Sequence, residues 1–189
     1  YQAPEQTPPV IVPGSEIPAL TEVAFVTPGS DMTYTFSASV KSEDVDDRPQ
    51  LTLLLDYGSE GRPYAHRVDY NDMDPGTLAQ GPRPTPTLSV QSSSFTTATP
   101  GRPDCHTLTL VATHHLDGNK ACPACITDST MVTWLVVACP AEDATCASSA
   151  LDAKDCSRLA HTWTGGCPAE AADAGATCPQ FDSTGGAAP

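Results

Sequence analysis

From Thr21 onward, apolar and polar residues alternate in short runs bounded by Gly, Pro or Asp. This period of two is the pattern of strands with one face buried. Val23-Ala24-Phe25-Val26 is the first such run, halted by Thr27-Pro28-Gly29-Ser30. Next, Tyr34, Phe36, Ala38 and Val40 form an apolar row between Thr33, Thr35, Ser37 and Ser39. Leu51, Leu53 and Leu55 share a face in the run to Asp56, and Tyr64, His66, Val68 and Tyr70 alternate in the one after. A proline-rich crossing from Pro75 to Pro86 leads to Leu88-Ser89-Val90. Two stronger runs follow, one with Leu108, Leu110 and Ala112, the other with Val132, Trp134 and Val136. Short strands in series with no amphipathic helix between them predict an all-β, two-sheet antiparallel sandwich, with a closed barrel as the alternative.

The ends of the chain read differently. Residues 1–20 hold five prolines, at Pro4, Pro8, Pro9, Pro13 and Pro18, and predict an extended Pro-rich arm in which Val10-Ile11-Val12 can serve as a short edge strand. Residues 141–189 turn to Ala, Asp, Gly and Cys, with one short helix predicted between Ser148 and His161. The tail has too few large apolar residues for its own core, so disulfides must supply its stability. The organisation is therefore an arm over 1–20, a sandwich over 21–140 and a disulfide-rich tail over 141–189.

Strand number, spacing and turn signals over residues 21–140 resemble the immunoglobulin-like superfold. The resemblance is one of pattern and points to no specific family within that superfold. Antibody-type hallmarks are missing: the Tyr34–Val40 run has no cysteine, the Leu51 run has no tryptophan, and no tyrosine stands two residues before Cys105. What the resemblance implies is a fold, because this superfold carries many unrelated functions.

Eight cysteines lie between Cys105 and Cys178, an even and clustered set that fits an oxidising compartment. A chain opening at Tyr1 fits removal of a signal peptide, and a lipid anchor upstream is compatible with it. No run of about 18 apolar residues is present. The net charge of −14, with only three lysines, argues against nucleic acid and anionic lipid surfaces, both of which need basic side chains. The expected location is therefore secreted or cell envelope, meaning periplasm, outer surface or extracellular space.

Treating the Leu108 and Trp134 runs as one hairpin with a constant register places Cys105 opposite Cys139 and predicts that pair. Local closure then predicts Cys122–Cys125, Cys146–Cys156 and Cys167–Cys178. Cys122-Pro123-Ala124-Cys125 is not read as a thioredoxin-like site, because the β-branched run after it does not start a helix. His114, His115, Cys122 and Cys125 are a possible zinc set, opposed by the opposite faces that adjacent strand residues occupy. Asp69, Asp72 and Asp74, in an acidic stretch ending at Pro75-Gly76, are the candidate calcium ligands, although no EF-hand pattern is present.

No Gly-x-Ser-x-Gly, His-Glu-x-x-His or glycine-rich phosphate loop occurs, and no catalytic residue or organic cofactor is assigned. The expectation is a protein that is not an enzyme: a structural or accessory subunit of an extracellular or envelope assembly, held by the sandwich and the terminal arms. Its partners would be other protein subunits, of the same or different chains. A ligand-binding or adhesion module for a glycan, peptide or calcium is the alternative, with a secreted hydrolase third.

Overall fold

In a computed structural model, residues 7–42, 48–57, 66–73, 83–85, 87–96, 102–117, 122–142 and 146 are described. They are all-β. The strands are β1 (Val10–Ile11), β2 (Ala24–Val26), β3 (Thr33–Phe36), β4 (Ser39–Lys41), β5 (Gln50–Leu55), β6 (His66–Asp72), β7 (Arg83–Pro84), β8 (Leu88–Gln91), β9 (Asp104–Thr113) and β10 (Ser129–Ala138). Two single-turn 3₁₀ segments, Ser92–Ser94 and Ile126–Asp128, are the helical pieces among the described residues. None is long and apolar enough to cross a membrane.

One layer is a five-stranded sheet in the order β2-β10-β9-β5-β6. Opposite it lie two short sheets, β1-β4-β7 and β3-β8. They are continuous through the chain, and the break is bridged by Thr85 N–H donating to Ala38 O (2.7 Å) and Ala38 N–H to Thr85 Oγ1 (3.1 Å). The edge strand expected near Val10 forms as β1, pairing Ile11 with Val40. Further along the same segment, Ile17 bridges to Ser37. After Pro18 the chain crosses to the other layer, where β2 runs parallel to β10. That pairing departs from the all-antiparallel expectation. Because β2 reaches β10 from the opposite layer, no hairpin dictates its direction.

The alternation read from the sequence sorts side chains as expected. Phe36, Ala38, Val40, Leu51, Leu53, Leu55, Leu88, Val90, Leu108, Leu110, Ala112, Trp134 and Val136 all enter one core. Trp134 packs its ring on Phe36 with centroids 5.3 Å apart, and its indole N–H donates to Pro18 O at 2.6 Å. The outer face of the larger sheet is less open than alternation alone implies. There Leu54 and Val111 are covered by Tyr57 and Cys122, and Thr109 shares a 2.9 Å hydrogen bond with Thr133.

The β9–β10 hairpin has a different register from the expected one. Cys105 lies opposite Val137 and Trp134 opposite Leu108, a slip of two residues. A two-residue slip keeps every side chain on its face, so hydrophobic alternation does not distinguish the two registers. Cys139 therefore falls beyond the hairpin pairing, where its N–H donates to Val26 O at 2.7 Å. It is bonded to Cys146, seven residues on, with Cα atoms 5.7 Å apart. The pairs Cys105–Cys139 and Cys146–Cys156 are thereby corrected. Cys105, Cys122 and Cys125 are disulfide-bonded as well. Cys167–Cys178 and the short helix expected near 148–161 lie outside the described residues.

Candidate functional site

Two histidines flank the apolar run of β9, and both fall on its core-facing side. A histidine in that position has to find polar partners inside the protein, since an unsatisfied buried ring nitrogen costs about 1–3 kcal/mol. Each finds an aspartate supplied by the end of another element.

His114 and Asp128 are each 1% exposed. Asp128 is the last residue of the 3₁₀ turn leading into β10. Its Oδ1 meets His114 Nδ1 at 2.8 Å, and its Oδ2 accepts from the His114 backbone N–H (3.2 Å) and from Thr113 Oγ1 (3.4 Å). On the far side of the ring, His114 Nε2 lies 3.2 Å from Ser42 Oγ, just past the end of β4. Hydroxyl, imidazole and carboxylate thus stand in the order of a nucleophile, its base and the group that orients the base. The described parts of the β9–β10 connection are tied down by Leu116 N–H donating to Gln50 Oε1 (2.8 Å) and by Ala124 N–H donating to His115 O (2.8 Å).

At the other end of β9, His106 is 6% exposed and forms a T-shaped pair with the Phe95 ring, 5.5 Å between centroids. Its Nδ1 is 3.0 Å from Asp56 Oδ2, and its Nε2 is 3.0 Å from the Thr96 carbonyl oxygen. Asp56 follows β5 with φ +52°, a left-handed conformation that Asp tolerates better than most residues because of its short polar side chain. That turn lets the carboxylate fold back to accept the Thr107 N–H as well, at 3.2 Å. Burial by itself would push the His106 pKa down. The hydrogen bond and charge of Asp56, with smaller contributions from Asp104 and the Thr96 carbonyl, outweigh it and raise the value above 6.5.

The acidic edge is arranged around hydrogen bonds. At β6 a bulge shifts the pairing, so that Leu53 faces Asp69 and Leu54 faces Arg67. Asp69 Oδ2 accepts the Ser89 backbone N–H of β8 at 2.6 Å, and its Oδ1 accepts the Tyr70 N–H at 2.8 Å. A side chain of one layer thus caps the strand edge of the other. Asp72 accepts from the Tyr70 hydroxyl at 2.6 Å, and this bond, helped by desolvation and the carboxylate's charge, pushes the Tyr70 pKa up to about 12. Asp74 lies outside the described residues. Among the described residues, no three His, Cys, Asp or Glu side chains are gathered as a metal site. The zinc set fails on chemistry, because Cys122 and Cys125 are in disulfides and offer no thiolate, while His115 points out to solvent.

Neither aspartate partner is marked by a local sequence pattern. A signal was present in β9, where His106 and His114 share the parity of Leu108, Leu110 and Ala112. Nothing in the chain's local pattern indicates that Asp56 and Asp128 arrive beside them. No protein-family model matches this chain, and no curated protein is significantly similar to it.

Proposed function

We propose that this chain is a non-catalytic structural or accessory subunit of an extracellular or cell-envelope protein assembly, built on an immunoglobulin-like sandwich. The strand order β10-β9-β5-β6 matches the sheet of variable-type immunoglobulin domains in which a further strand extends the three-stranded face. Disulfide bonding of Cys105, Cys122, Cys125, Cys139 and Cys146 supports an oxidising location.

The observation that carries the reading is a pair of exposed apolar side chains on the outer face of the larger sheet, Phe25 on the edge strand β2 and Met131 near the start of β10. Phe25 is 38% exposed and Met131 36% exposed. The ladder pairing Phe25 with Val137 puts both on the same side as the half-buried Leu135. Single exposed apolar residues are ordinary, whereas two on one sheet face, with half-buried Leu135 between them in the strand direction, fit contact with another protein. Native mass spectrometry of material from its source, with crosslinking, tests this. The expected result is a larger assembly with crosslinks flanking Phe25 and Met131, dispersed by the double substitution F25D/M131D. A monomer in undisrupted source material refutes it.

One observation favours a second reading, that of a secreted hydrolase: the Ser42–His114–Asp128 chain. A fluorophosphonate probe decides between the two. Labelling at Ser42 that disappears in His114→Ala supports the hydrolase. No labelling leaves the three groups as an internal tie between β4, β9 and the turn before β10.

A further inference from the structure

The two buried histidines differ in what their second ring nitrogen meets. His114 Nε2 faces the Ser42 hydroxyl, a group that both donates and accepts. His106 has an acceptor on each side: the Asp56 carboxylate at Nδ1 and the Thr96 carbonyl at Nε2. A carbonyl oxygen has no proton to give. Both ring nitrogens must carry one for both contacts to be hydrogen bonds, and that species is the imidazolium.

We propose that His106 is a pH-responsive latch, held as an imidazolium between Asp56 and Thr96, which ties the start of β9 to the end of β5 and to the chain after the Ser92–Ser94 turn. Deprotonation leaves the Nδ1–H bond to Asp56 in place and turns the Nε2 lone pair toward the Thr96 oxygen. The Thr96 side opens first. Among the described residues, the charged groups acting on the ring are Asp56 from β5 and Asp104 from β9, both acidic. Phe95 packs against the imidazole in a T-shaped pair, and Val136 of β10 lies opposite His106 in the ladder, so neither brings a charge. The raised pKa is consistent with this surrounding. Stabilisation by the latch is fully present below the unfolded-state value near 6.5, declines above it, and is lost as the pH passes the folded-state value.

The test uses the full chain with its disulfides intact. Long-range ¹H–¹⁵N NMR of the His106 ring should show both nitrogens protonated at pH 6.5 and a titration midpoint above that value. The Phe95 amide, which bonds to Ser92 O at 3.2 Å, should exchange about tenfold faster above the midpoint after correction for intrinsic exchange, the equivalent of one hydrogen bond. Asp56→Asn should lower the midpoint, and His106→Gln should remove the step from the pH profile of the unfolding temperature. A midpoint at or below 6.5, or a Phe95 amide equally protected on both sides of it, overturns the proposal. If either variant fails to fold, the wild-type titration alone is decisive.

Discussion

Replacing Asp69 by alanine tests whether one side chain ties β6 to β8. The carboxylate is half-buried and makes charge-assisted bonds to two backbone amides, with the contact to Ser89 N–H at 2.6 Å joining the layers and that to Tyr70 N–H at 2.8 Å being local. Hydrogen bonds to charged groups contribute about 1.5–3 kcal/mol net. The Ser89 contact joins residues twenty apart, whereas the Tyr70 contact is between chain neighbours and can also form in the unfolded chain. The expected loss for Asp69→Ala is therefore about 2 kcal/mol, nearly all of it from the Ser89 contact. Asp69→Asn keeps a carbonyl acceptor for Ser89 and should lose about half as much, since charge roughly doubles the strength of such a bond. Urea unfolding under non-reducing conditions measures both variants. The midpoint should fall with no change in slope, because the surface exposed on unfolding is the same. The loss should be equal with calcium or with a chelator present. A change within about 0.5 kcal/mol for Asp69→Ala, typical of a surface site, refutes the capping argument. So does a loss that appears only in calcium.

Trp134→Ala should cost about 3–5 kcal/mol in the same assay, because a fully buried ring and its bond to Pro18 O disappear together, and Trp134→Phe should cost less. Asp128→Ala should cost about 2–3 kcal/mol by stripping the acceptor from His114 Nδ1 and from its backbone N–H inside the protein, and a neutral result rules out the buried tie. Non-reducing peptide mapping should recover Cys139–Cys146. The same map should join at least one of Cys105, Cys122 and Cys125 to a cysteine beyond Cys146, since three bonded cysteines do not pair among themselves. Finding Cys105–Cys139 refutes the hairpin register.

Alternation along the chain by itself determined the all-β class and, for β5, β9 and β10, the strand core and its inward face, whereas β7 formed inside the stretch read as a proline-rich crossing and the Tyr34–Val40 run divided into β3 and β4. Leu51, Leu53 and Leu55 on β5, Leu108, Leu110 and Ala112 on β9, and Trp134 and Val136 on β10 could be placed without coordinates, because pleat geometry ties facing direction to residue parity. His106 and His114 share that parity, but the zinc set and disulfide pairs expected from sequence made no use of it. The acidic, cysteine-rich composition supplied only expectations, of an oxidising compartment and of no nucleic-acid partner. What parity leaves undetermined is any shift by two, and there tertiary structure decided: it set Cys105 against Val137, moved Cys139 out to Cys146, and laid β2 parallel to β10. It also covered Leu54 and Val111 on the face that alternation assigns to solvent. The partners of the buried polar groups belong to the same class. Asp56 reaches His106 across fifty residues, Asp69 reaches Ser89 across twenty and Ser42 reaches His114 across seventy-two. The strand pattern that buries a histidine is local, whereas the carboxylate or hydroxyl that satisfies it arrives only when the layers and their connections pack.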